Sequence, residues 1–259
     1  MTTRIEIGMC LSPDKVDELA PGYDYLELGV AAALKPLVDD EAFAPEMERL
    51  KALPLPVRAF NSFLPAEVRL TGPQVDWHQV DVYLQRSTQR AAALGGEVIV
   101  FGSGGARAVP EGFSRDRAWA QLIRFCNLAA DHAVKHDLII AIEPLNRTET
   151  NILNSYTEGV RLAQDVHRSQ IQVLADIYHF EMESEPMENI RAGAEWLAHV
   201  HLADSGRRHP GSGSYPLKEW FALLHEIGYT GRASVECRWG DDYRRETAES
   251  LHFLRELAG

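Results

Sequence analysis

Four ionisable side chains stand at the ends of short apolar runs: Glu143 after IIAI, Asp176 closing IQVLAD, His201 in AHVHLA and Glu236 in RASVEC. Such groups are costly to bury without a partner, and a metal, a substrate hydroxyl or a cationic side chain supplies one. Three carboxylates sharing a partly buried site must be protonated or neutralised by a cation. Oxygen ligands with one imidazole suit Mn²⁺, Mg²⁺ or Co²⁺ better than a thiolate-seeking metal. Singly, each residue has a plainer role. Asp176 can cap a helix, His201 can be a satisfied core histidine, and Glu236 can pair with Arg232 or Arg238. Four of them at corresponding positions read as metal ligands.

Residues at short range extend the set. His179 follows Asp176 by three positions in the loop DIYHF, Arg207 follows His201 by six, and Glu149 follows Glu143 by six. A His, an Arg and a Glu beside a metal bind and orient hydroxyl and carbonyl oxygens. Arg208 reads as a solvated loop residue. His199 is expected to point away from the site, towards the helices, and is not counted as a ligand. Glu27 ends an early strand and is open to three readings: pocket, helix cap or salt bridge.

Positioning these residues takes alternating elements. Strands are predicted over 4–10, 23–30, 56–60, 97–101, 139–143, 171–176, 198–203 and 232–237. Helices are predicted near 13–19, 41–53, 76–94, 114–136, 155–167, 186–197, 216–227 and 241–257. Ser114 and Ser155 are candidate N-caps, the latter in a capping box with Glu158. Gly95-Gly96 ends one helix. Eight strands alternating with eight helices predict an α/β fold, a closed parallel (β/α)8 TIM barrel occupying 1–259 as one domain. A doubly wound open sheet is weakened because no G-x-G-x-x-G follows the first strand. In such a barrel, ligands at strand C-termini converge on one face. The GSGG loop after the fourth strand reads as a plain flexible turn; its amides suit a phosphate, but no lysine accompanies them.

Composition limits the function classes. The chain has 259 residues, 45% of them hydrophobic, enough for a large core. A formal net charge of −12 argues against nucleic acid as a partner. Cys10, Cys126 and Cys237 have no paired or zinc-like spacing, as expected of reduced thiols. The start, MTTRIEIGMC, lacks the apolar run of a signal peptide, and no stretch is long enough to span a membrane. The expectation is a soluble cytoplasmic protein.

The motifs IEPLNRTE, ADIYH, HVHLADSGRRHPGSG and SVECRWG resemble those of the xylose-isomerase-like barrel superfamily. Within it they are similar to the ketose 3-epimerases, the D-tagatose/D-psicose group. The resemblance is strong over 139–240 and architectural over the first 138 residues. It implies Glu143, Asp176, His201 and Glu236 as metal ligands, with Mn²⁺ as the first choice. It implies Glu149, His179 and Arg207 as contacts to the O1/O2 end of a small-molecule sugar. The implied reaction is epimerisation of a free ketose at C3 through a metal-stabilised enediolate, with Glu143 and Glu236 as the acid–base pair. A homo-oligomer, dimer or tetramer, is also implied. Phe60, Asn61, Phe63, Phe101 and Trp239 are expected as pocket walls. The alternatives are an aldose–ketose, hydroxypyruvate or inosose isomerase or dehydratase of the same superfamily, and a non-catalytic sugar-binding barrel. An apurinic endonuclease needs further histidines where this chain has Phe60-Asn61-Ser62 and Phe101-Gly102-Ser103.

Overall fold

A strand ladder leaves edge groups unpaired unless the sheet closes on itself. In the computed structural model, which describes residues 4–259, eight parallel strands do close. They are β1 (Glu6–Cys10), β2 (Tyr25–Gly29), β3 (Val57–Asn61), β4 (Val98–Phe101), β5 (Ile139–Ile142), β6 (Ile171–Asp176), β7 (Leu197–Leu202) and β8 (Arg232–Val235). They pair in chain order, and β8 returns to pair with β1. This is the predicted TIM barrel. Met1–Thr3, part of the stretch read for a signal peptide, lie outside the described residues. None of the described helices is long and apolar enough to cross a membrane.

Helices α1 (Asp40–Lys51), α2 (Trp77–Ala93), α3 (Gly104–Arg107), α4 (Arg115–Ala133), α5 (Tyr156–Val166), α6 (Ile177–Glu183), α7 (Glu188–Ala192), α8 (Leu217–Glu226) and α9 (Tyr243–Ala258) follow or link the strands. Their starts are chemically marked. Asp39, Asp76, Ser114, Ser155 and Asp242 each accept a hydrogen bond from a backbone N–H of the first turn. The Ser155 box is modified: Ser155 accepts from the Glu158 amide, but Glu158 reaches back to the Asn154 amide at 2.6 Å. Three local expectations differ. The loop after β4 contains the helical turn α3. The segment after β6 is helical from Ile177, because Asp176 caps it. The helix predicted over 186–197 is only α7 and a 3-10 turn, Ala194–Trp196.

Strand alternation sorts the side chains into two shells. Along β4, Val98 and Val100 fill the barrel axis with Tyr25, Ala59, Ala141 and Leu174, while Ile99 and Phe101 join the larger core under the helices. The tyrosine fits on the axis because a Cβ at Gly8 would overlap its ring. In the outer shell Phe125 of α4 packs on Phe101 and Phe63, with ring centroids 4.6 and 6.1 Å apart. Phe60, Phe63 and Phe101 are all fully buried in this shell. They are core residues and not the pocket walls expected from the sequence, because alternation turns Phe60 and Phe101 away from the axis. Replacing Phe125 with alanine is expected to cost about 3–5 kcal/mol in urea unfolding, the usual loss for a buried phenylalanine. A loss below about 1 kcal/mol would contradict this packing.

Candidate metal centre

Alternation also decides which chemical groups meet on the axis. Beyond the apolar layer, the next inward positions are Glu27 on β2, Glu143 just past β5, Asp176 closing β6, His201 on β7 and Glu236 just past β8. Glu143 and Glu236 are still held in register, since their amides donate to Phe101 O (3.1 Å) and Leu202 O (2.9 Å). Donor atoms of Glu143, Asp176, His201 and Glu236 all lie within 4.8 Å of one another. His201 Nδ1 is 3.2 Å from Glu143 Oε1 and 3.5 Å from Glu236 Oε2. Asp176 plays both roles considered for it. Its Oδ1 accepts from the Tyr178 amide at 2.8 Å, capping α6, while Oδ2 is buried with no hydrogen-bond partner. A buried, unpartnered carboxylate oxygen beside two further carboxylates and an imidazole is a donor set that a divalent cation would fit.

Below this group, Glu27 is fully buried and accepts three hydrogen bonds. Oε1 takes one from His201 Nε2 (2.8 Å), and Oε2 takes those from His199 Nε2 (2.8 Å) and the Ser234 hydroxyl (2.6 Å). The Tyr25 hydroxyl stands 2.7 Å from Ser234 Oγ. His199 therefore faces the barrel interior, contrary to the expectation from sequence. Residues two apart on a strand share a face, so His199 and His201, paired in unbroken register with Leu174 and Asp176, turn inward together. Glu27 is not a helix cap; of its three readings the structure supports the salt bridge, in buried form, with His199 and His201.

His179, Arg207 and Glu149 gather on one flank. The Asn146 amide (3.1 Å) and its side-chain nitrogen (2.9 Å) both donate to His179 Nδ1. The ring proton is thereby placed on Nε2, which is buried and unpartnered 3.6 Å from Asp176 Oδ2. Arg207 donates to Glu236 Oε2 at 2.7 Å and to Glu149 Oε1 at 3.4 Å, with its guanidinium over the Tyr178 ring. Arg208 is exposed, as expected. Asn146, Tyr178 and Glu27 join the site without having been assigned to it from the sequence. Asn146 and Tyr178 left traces inside the motifs IEPLNRTE and ADIYH, and Glu27 had the pocket among its three readings.

The glycine-rich loop has a specific task. A Cβ at Gly102 would collide with Glu143 Oε2, and one at Gly104 would crowd the Glu149 carbonyl. The loop then delivers Arg107, fully buried, whose guanidinium donates to Phe101 O (3.0 Å) and Glu143 O (2.8 Å). The loop is an ordered turn that lines the cleft, and not a loose one. Above the centre the cleft has two lobes that share Asn61 and Glu236. One, of about 300 Å³, is bounded by Gly102, Glu143, Glu149, His179 and Arg207. The other, of about 420 Å³, runs over Cys10 and Leu11 towards Lys35 and Arg49. Asn61 is thus a wall, as expected. Trp239 lines neither lobe and stacks on His209.

Residues 15–257 match the family described as Xylose isomerase-like TIM barrel. The chain belongs to that family. An L-ribulose 3-epimerase from Methylomonas sp. (strain DH-1) is 30% identical over 221 residues, 83% of this chain and 74% of that protein. A D-psicose 3-epimerase from Agrobacterium fabrum is 34% identical over 119 residues, 46% of this chain and 41% of that protein. The latter match therefore spans less than half of that relative's length. Ketose 3-epimerases are enzymes of the isomerase class. In fold the chain also resembles a D-psicose 3-epimerase from Clostridium cellulolyticum H10 solved with D-tagatose. Their TM-score is 0.85 at 20% identity, over 98% of this chain and 99% of that one.

Within this family member the electrostatics are uneven. Burial opposes ionisation of Glu236, but His201 and Arg207 outweigh it and hold the carboxyl down at about 2. Burial pushes Asp176 up from 3.8 to about 6, with repulsion from Glu143 and Glu236 added. A carboxyl whose folded pKa lies above its unfolded value favours folding fully below the unfolded value, and that contribution is lost as pH rises through about 6. A divalent cation binding the ionised form reverses the loss. The rise in Tm on adding Mn²⁺ is expected to be largest above neutral pH and to shrink below about pH 6. A rise independent of pH across this range would contradict it. Gly102→Ala, by displacing Glu143, is expected to weaken Mn²⁺ binding at least ~10-fold, an effect of the size seen when a ligand's setting is disturbed; calorimetric titration reads it, and unchanged affinity would refute the steric role.

Proposed function

We propose that the chain, acting as a single barrel domain, is a divalent-metal-dependent sugar epimerase that inverts C3 of a free ketose. Glu143 and Glu236 serve as its acid–base pair, and Mn²⁺ is the expected ion. The observation that carries this reading is the convergence of Glu143, Asp176, His201 and Glu236 within 4.8 Å, beside Glu149, His179 and Arg207. The names of the similar proteins supply the substrate class.

Glu143, Asp176, His201 and Glu236 would hold the cation. The chemistry it supplies when bound is Lewis acidity, which lowers the cost of negative charge on the sugar's oxygens. The protein's own groups do the rest. His179 Nε2–H is aimed into the site and free to donate to a sugar oxygen, because Asn146 occupies the other ring nitrogen. Arg207 has donors beyond those paired with Glu236 and Glu149, suited to a carbonyl or hydroxyl at the same end of the sugar. One glutamate takes the proton of the C3–H bond onto a carboxylate oxygen. The other gives a proton to C3 from the opposite face, and in the reverse direction the roles exchange. Positioned proton transfer of this kind contributes about 10²–10⁴-fold. Arg207 keeps Glu236 ionised and so ready to accept.

The metal-loaded protein, offered D-fructose, D-tagatose, D-psicose and L-ribulose in D₂O, is expected to yield the C3 epimer with deuterium at C3 by NMR. Deuterium at C1 or C2 with an aldose product would replace this reading with an aldose–ketose isomerase. Glu143→Gln and Glu236→Gln are each expected to abolish turnover while leaving the circular dichroism spectrum unchanged. Wild-type turnover in both would sink the two-glutamate mechanism.

A further inference from the structure

We propose that Glu27 is a positioning residue that selects the tautomer of His201 and thereby sets the metal affinity of the centre. The inference rests on the reading of His201 as a metal ligand through Nδ1. A neutral imidazole carries one proton and one lone pair, on different nitrogens. His201 Nδ1 is the nitrogen facing Glu143 Oε1 (3.2 Å) and Glu236 Oε2 (3.5 Å), so it is the one placed to ligate. Those same carboxylates would also accept a proton from Nδ1, and in that tautomer the lone pair needed by a metal is gone. The ligand set therefore opposes its own imidazole.

Glu27 settles the competition from the other side. Its Oε1 is 2.8 Å from His201 Nε2, and an ionised carboxylate can only accept, so a proton at Nε2 is secured and Nδ1 is left free. The carboxylate is itself held. Oε2 accepts from His199 Nε2 and from Ser234, and Tyr25 stands behind Ser234. His199 thus has a reason to face inward without being a ligand. It fixes Glu27, while its own Nδ1 has no hydrogen-bond partner. Both oxygens of Glu27 are bonded, in a region without solvent access, and this holds the carboxylate in place.

Mn²⁺ binding to Glu27→Gln, Glu27→Leu and Ser234→Ala, measured by isothermal titration, tests this. The Kd is expected to rise about 10–100-fold for the Glu27 variants, the usual effect of losing such a partner, and less for Ser234→Ala. Melting of the metal-free proteins checks the fold, and Ser234→Ala remains informative where Glu27→Leu does not fold. A purely structural role would lower Tm and leave Kd within about twofold of wild type, which would overturn the proposal. A second readout is ¹⁵N-histidine NMR of the wild-type protein loaded with diamagnetic Mg²⁺. A proton on His201 Nε2 supports the proposal; a proton on Nδ1 overturns it. Absence of Mn²⁺ binding by the wild-type protein would remove the metal reading as well, whereas equal binding by wild type and variants would remove this inference alone.

Discussion

Mutual repulsion among Glu143, Asp176 and Glu236 is the constraint around which the mouth of the barrel is arranged. Each carboxylate is given a different compensation. Glu236 has Arg207 at 2.7 Å. Glu143 has the buried cation of Arg107 behind it, bonded to its backbone carbonyl. Asp176 spends one oxygen on a helix cap and leaves the other unpartnered. Asp176 is left with a raised pKa, set first by burial and then by repulsion from Glu143 and Glu236. Burying like charges in this way is destabilising, and it persists in proteins where the site has a use for it.

The rest of the structure supplies the rigidity that this arrangement needs. Closure of the sheet brings strands distant in sequence, β2 and β8, under the same imidazole. The inward layer of Glu27, His199, Ser234 and Tyr25 places the site on a hydrogen-bonded platform and not on a mobile loop. Such buried polar layers stabilise only when every member is satisfied. Here both oxygens of Glu27 are bonded, and Nδ1 of His199 is left without a partner. Glycines do comparable work by absence of a side chain. Gly8 admits the Tyr25 ring to the axis, and Gly102 leaves room for the Glu143 carboxylate.

Two lobes lie on either side of the centre. The flank with His179, Arg207 and Glu149 is built from residues whose hydrogen bonds fix their tautomer and orientation, as suits groups close to the reacting atoms. The other lobe is lined by Cys10, Leu11 and the charged group of Lys35, Glu46 and Arg49, where Arg49 is already paired with Glu46 at 2.7 Å. Differences among members of one barrel family are expected on this kind of surface, in the βα loops, while the strand ends below are kept.

Much of this was legible in the amino-acid sequence. Eight apolar runs with spaced caps specify the barrel, because strand and helix periodicities are local properties. Ligands at the ends of β5, β6, β7 and β8 stand out because an acid or imidazole closing an apolar run has no cheap local explanation. Other features depended on tertiary contacts. Whether Glu27 was pocket, cap or ion pair was decided by His199 and His201, 172 and 174 positions away. The inward turn of His199, by contrast, follows from strand parity with His201 and needed no tertiary contact to be read. The aromatics Phe60, Phe63 and Phe101 looked like pocket walls until packing placed them under the helices. Gly102 looked like part of a flexible turn until the neighbouring strand brought Glu143 against it. Local chemistry chose the elements and the ligands; the closed sheet chose their partners, because only closure fixes which side chains share the axis.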